Sequence, residues 1–130
     1  MSETEKITIN IGAVDLGKID LLVELGHYSN RTDFIRSAIR SQLEKHVIEV
    51  QQAVTRQSFG IGLFLHDLSD FEKYQANGDK IKVKVIGVYH IPANVPASLA
   101  DEVIEEVKVY GSFQASSEVK QALEKSGKLK

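Results

Sequence analysis

The sequence predicts an α+β fold in two parts. A strand-helix-helix segment spans residues 1–57, and a small α/β domain of three βα units spans residues 58–130. Three observations point there. The stretch "KITINIG" (6–12) alternates polar and apolar residues with the period of a half-buried strand. Two segments with helical spacing follow it. Beyond residue 58, strand and helix patterns alternate three times, which argues for a parallel sheet.

In the first strand Lys6, Thr8 and Asn10 share one side, and Ile7, Ile9 and Ile11 the other. "AVDLGKIDLLVELG" then places Leu16, Ile19, Leu22 and Val23 on one helical face, with Gly26 as the stop. "HYSNRTDFIRSAIRSQLEKH" opens a second helix. Ser29 is its expected N-cap, and Asp33 lies in the first turn, where the helix dipole favours an acid. Ile35, Ala38, Ile39 and Leu43 form its apolar stripe. Val47, Val50 and Val54 continue the pattern, so the helix is expected to run past residue 45 up to a junction at "VTRQSFG".

In the second part "FGIGLFLH" (59–66) reads as a strand and "DLSDFEKYQANG" as a helix closed by Gly78. "KIKVKVIGVYHI" (80–91) is a strand, and "PASLADEVIEEV" a helix led in by Pro96. "VKVYGSFQA" is the third strand. "SSEVKQALEKSG" is a helix capped by Ser116 or Ser117 and ended by Gly127. An internal repeat is visible at an offset of 24, where Lys84/Lys108, Val85/Val109, Gly87/Gly111, Val95/Val119 and Leu99/Leu123 coincide. Ile81, Val83 and Val85 face one way in the middle strand. Lys82 and Lys84 wet the start of the other face before Ile86 and Val88 close it. So small a parallel sheet needs further cover. The extension of the second helix or another subunit is expected to supply it.

A lone strand followed by two helices cannot satisfy its backbone groups within one chain. The economical solution is a twofold dimer in which the strand pairs antiparallel with its copy, the isoleucines cover the helices, and the polar face points outward. A two-stranded ribbon fits the major groove of B-DNA. "KITINI" followed by "LGKIDLLVELGHYSNRTDFIRSAIRSQL" resembles the ribbon-helix-helix regulators of the MetJ/Arc/CopG class, above all the NikR-like branch. The resemblance covers about residues 5–45. It implies a homodimer that binds double-stranded DNA and regulates transcription, as a repressor. By position it implies that Lys6, Thr8 and Asn10 touch base edges. It also implies that the start of the second helix, Ser29, Asn30, Arg31 and Thr32, anchors a backbone phosphate.

The chemistry of these residues suits those roles. Lysine donates to guanine O6 or N7, asparagine pairs with adenine, and threonine serves either kind of base or a thymine methyl. Free N–H groups at a helix start attract an anion, and Arg31 adds charge. Taken singly, Lys-x-Thr-x-Asn is also an ordinary solvated strand face, and "SNRT" an ordinary cap. Their order along the chain carries the reading. Against it, residues 1–57 hold seven Lys and Arg but eight Asp and Glu, so this half is not basic. Affinity should be modest without the right sequence and steeply salt-dependent. Arg36 and Arg40 are expected to form surface ion pairs with Asp33 and Glu44.

Other classes have less support. The chain has no cysteine and a formal net charge of −2, and overall charge gives no general affinity for nucleic acid. The four histidines, His27, His46, His66 and His90, lack ligand spacing. His66 and His90 end two strands and could lie close, but a solvated pair is the expected reading, so no metal or cofactor is called and the nickel-sensing role of the relatives is not carried over. No phosphate loop, nucleophile elbow or paired-carboxylate motif points to an enzyme, and Asp101, Glu102, Glu105 and Glu106 read as a solvated helix face. No signal peptide or membrane span is visible, which makes the cytoplasm the default. Three rivals stand beside the repressor: an antitoxin whose C-terminal half binds a toxin, a plasmid partition or relaxosome accessory protein, and a dimeric interaction scaffold that binds no DNA. The second half is expected to make subunit contacts that tighten the dimer or build a tetramer.

Overall fold

Six helices and three strands follow one another along residues 4–130, which the computed structural model describes. They fall into two compact units, Lys6–Arg56 and Gln57–Lys130, the latter joined by Thr4 and Glu5.

The first unit is helical. Residues 6–12 carry neither helix nor ladder and are exposed on both sides. Helix α1 (Ala13–Glu24) ends at Leu25. Gly26 then turns the chain with φ +87, its N–H bonding Val23 O, while the His27 N–H reaches back to Leu22 O. This paired closure needs a left-handed residue after the cap, which is why glycine stops the helix there. Helix α2 (Arg31–Lys45) starts one residue later than expected, and its cap is Asn30 rather than Ser29. The carboxamide can reach the third amide of the helix, and Asp33 answers by accepting from the Ser29 N–H. The helical path does pass residue 45, but with a break at His46 (φ −113, ψ 17) before α3 (Val47–Gln57).

The second unit is built as β1 (Gly60–Leu65), α4 (Leu68–Asn77), β2 (Ile81–His90), α5 (Ala97–Val103), β3 (Ile104–Gln114) and α6 (Ser117–Lys125). The strands form a parallel sheet in the order β1-β2-β3. Local signals frame the helices. Asp67 and Asp70 make a reciprocal capping box on α4, Gly78 ends it with φ +70, and Ser116 caps α6. One boundary departs from the sequence reading. "IEEV" was expected to prolong α5, yet Ile104 begins β3. Its glutamates favour helix, but Ile104 and Val107 are fully buried in strand pairing, and tertiary burial overrides propensity. The register shifts between Ile81 and Lys82, so that Glu105 is bulged out.

From Val83 to His90 the β2–β3 register pairs residues 24 apart, including Val85 with Val109 and Gly87 with Gly111. The repeat seen in the sequence is therefore a repeat of the sheet. Across all three strands Gly62, Gly87 and Gly111 stand in one row, with φ of +130, +137 and +123. A Cβ on Gly87 would lie 2.1 Å from Gly62 O, and one on Gly111 2.2 Å from Gly87 O. Only glycine lets each strand pass its neighbour in this conformation. The core sits on one face of the sheet, where Val83, Val85, Tyr89 and Val107 pack under Phe71, Leu99, Val103, Val119 and Leu123 of the helices. Tyr89 and Phe113 stack there with ring centres 5.7 Å apart.

Candidate nucleic-acid interface

Lys6, Thr8 and Asn10 lie in the N-terminal segment that precedes α1 and carries no ladder, all exposed. The isoleucines between them are exposed as well: Ile7 by 75%, Ile9 by 60% and Ile11 by 43%. Leu21 of α1 and its cap Leu25, Ile39 and Leu43 of α2, and Val47 and Ile48 of α3 are likewise exposed. Ile19 is the one buried hydrophobic residue among the described residues of this unit. A unit of this kind has the apolar residues of a core but not the chain to enclose them.

The start of α2 is well formed. Tyr28 and Phe34 meet edge to face with ring centres 4.9 Å apart and steady the turn into the helix. Asn30 Oδ1 accepts from the Asp33 N–H at 2.8 Å, and Asp33 Oδ2 accepts from the Ser29 N–H at 2.9 Å. Among the described residues, the amides of Arg31 and Thr32 have no partner at the positive end of the helix dipole.

The cations here are arranged differently from the sequence reading. The Arg31 fork is engaged by Asp20 of α1, Nε and one terminal nitrogen donating to the two carboxylate oxygens at 2.8 and 2.9 Å. The hydrogen bond from Arg31 holds the Asp20 carboxyl below its usual pKa, and the same pairing raises that of Arg31. Arg31 thus ties the second helix to the first. The expected Arg36–Asp33 and Arg40–Glu44 ion pairs do not form among the described residues. Arg36 and Arg40 instead line a shallow hollow of about 380 Å³ together with Ser29, Asn30, Thr32 and Asp33. Their one-turn spacing on α2 is the signal of this hollow in the sequence.

The family model that matches this sequence is the ribbon-helix-helix transcriptional regulator family, over residues 2–120. The chain belongs to the ribbon-helix-helix family. That membership makes it one of a family of DNA-binding transcriptional regulators, proteins that are generally not enzymes and typically bind DNA as dimers. No curated protein and no solved structure matches it.

Two of the histidines of this ribbon-helix-helix protein, His66 and His90, lie in the second unit at the ends of β1 and β2. His66 Nδ1 lies 2.8 Å from the Tyr89 hydroxyl, and its ring sits edge-on among Phe71, Tyr74 and Tyr89. Its backbone N–H bonds His90 O, so the two residues are neighbours through the backbone, while the His66 ring turns to the tyrosine. Burial lowers the pKa of His66, against the opposing pull of Asp70 and Asp67. Among the described residues no cluster of three His, Asp or Glu could hold a metal, and no helix is long and apolar enough to cross a membrane.

Proposed function

We propose that this protein is a homodimeric, sequence-specific DNA-binding repressor. Residues 6–11 of two copies pair antiparallel, and the ribbon enters the major groove. Lys6, Thr8 and Asn10 meet base edges, while Ile7, Ile9 and Ile11 close over the helices of both copies. The start of α2, Ser29 to Thr32, holds a backbone phosphate on its free amides. Arg36 and Arg40 supply the positive charge beside it, and Arg31 keeps the corner in place through Asp20.

The observation that carries this reading is the joining of a polar–apolar alternating segment, without a ladder of its own, to a helical unit whose one buried hydrophobic among the described residues is Ile19. A second copy gives the strand its ladder and the helices their core in one step. The antitoxin alternative lacks comparable support, because Gln57–Lys130 has its own core and does not need a toxin to order it. Selection from a random pool of duplex DNA by the full chain tests the proposal. A two-fold symmetric site should be enriched, as two identical half-readers require. Recovery of no common sequence, with binding that follows only salt, would leave a scaffold or nonspecific binder instead.

A further inference from the structure

We infer that the second unit carries an interface of its own: β1 pairs edge to edge with β1 of a second copy, antiparallel across a twofold axis, joining two three-stranded sheets into one. This interface does not depend on the ribbon reading DNA, although a ribbon dimer would bring the second copy close.

Four observations converge on this edge. First, β1 is an outer strand, and Ile61, Leu63 and Leu65 are exposed by 59, 43 and 47%. Natural sheets rarely leave such an edge bare. Second, residues 57–65 contain no charged residue, so two copies meet without repulsion. Third, the opposite edge is protected. Val107 of β3 is bridged by the C-terminal segment, donating to Lys128 O and accepting from the Lys130 N–H, both at 2.8 Å, and the same strand carries Glu105, Glu106 and Lys108.

The glycine row supplies the fourth. At Gly87 and Gly111 the space a Cβ would take is filled by the backbone of the preceding strand. Gly62 continues the row with φ +130, yet nothing lies within 4 Å of the place its Cβ would occupy. That place lies on the free edge, where a further backbone can approach. A twofold axis through the sheet keeps matching faces together, so Ile61 and Leu63 of the two copies adjoin. Pairing β1 with the β3 edge of another molecule would instead be head-to-tail and open-ended, and the Leu129 bridge obstructs it.

Because the chain has no cysteine, a single introduced thiol can pair only with its own copy. Full-length Ile61→Cys, Leu63→Cys and, as control, Ser112→Cys on β3 are each oxidised gently at low concentration. Disulfides form only where Cβ atoms approach to about 4 Å. The expected result is a covalent dimer from Ile61→Cys, from Leu63→Cys or from a mixture of the two chains, according to which residue the axis passes, and none from Ser112→Cys. Adding Leu65→Lys to the crosslinking variant should abolish the product. No crosslink from Ile61→Cys, from Leu63→Cys or from an equimolar mixture of the two overturns the interface. So does equal crosslinking at all three positions, or a mixed disulfide between the Leu63→Cys and Ser112→Cys chains. Loss of DNA binding by ribbon variants that still crosslink through β1 would separate the two interfaces.

Discussion

Gly87 and Gly111 are the residues at which the smallest change should do the most damage. A methyl group at Gly87 meets the Gly62 carbonyl oxygen at 2.1 Å, in a backbone conformation that L side chains rarely adopt. Backbone strain of that kind alone costs about 1–3 kcal/mol, and the clash adds to it. Gly87→Ala or Gly111→Ala should therefore lose more than about 3 kcal/mol in urea unfolding. Gly62→Ala should lose less, since its Cβ meets nothing within the chain.

At the same scale, His66 should contribute to the acid limb of stability. Burial lowers its folded pKa below the unfolded value, so the folded state takes up its proton less readily. Stability is full above the unfolded value of about 6.5 and falls as pH drops through the lowered folded pKa. His66→Phe should flatten that fall in thermal unfolding followed between about pH 8 and pH 5. An unchanged acid limb would show that another group controls it. On the DNA side, Arg36→Ala and Arg40→Ala should weaken binding to all sequences alike, each reducing the salt slope by about one. Arg31→Ala should act chiefly by loosening the α1–α2 corner that Asp20 holds. If Arg31→Ala alone flattens the salt dependence, the roles assigned to these arginines are reversed.

At the level of elements, the proposed ribbon would depend on backbone pairing of residues 6–11 between two copies. Ile9→Pro removes a ladder donor and should stop ribbon formation. Loss of helical ellipticity from α1–α3, with the second unit still folded, is the expected outcome; undiminished DNA affinity would contradict it. Much of the element order was legible because it rests on local chemistry. Gly26, Gly78 and Gly127 mark helix ends with positive φ, and Asp67 and Ser116 mark helix starts. The α5–β3 boundary was not legible, because "IEEV" is a helical sequence placed in a strand by the pairing of its neighbours. The glycine row was half legible. Gly87 and Gly111 coincide in the repeat, but Gly62 is 25 residues before Gly87 rather than 24, so only the sheet register joins all three. The move of the cap from Ser29 to Asn30 is a contest between adjacent good caps, which side-chain reach decides.

For the whole molecule, two separate surfaces call for a second copy of the chain. In the first unit the residues of a core outnumber those the chain encloses among the described residues, and in the second an apolar strand edge is left unpaired among the described residues. Burying them in the proposed dimer would add hydrophobic stabilisation of roughly 25 cal/mol per Å². Family membership fixes the class of function, and the outward triplet is where sequence preference must arise if the ribbon account is right. The most direct test is the affinity of the Lys6→Ala, Thr8→Ala, Asn10→Ala triple variant for the site selected by the parent chain, with helicity and oligomeric state verified unchanged. The account predicts loss of preference for that site, by about 1–3 kcal/mol for each bidentate contact removed, with residual binding that follows salt. Binding as tight and as selective as the parent's would contradict it.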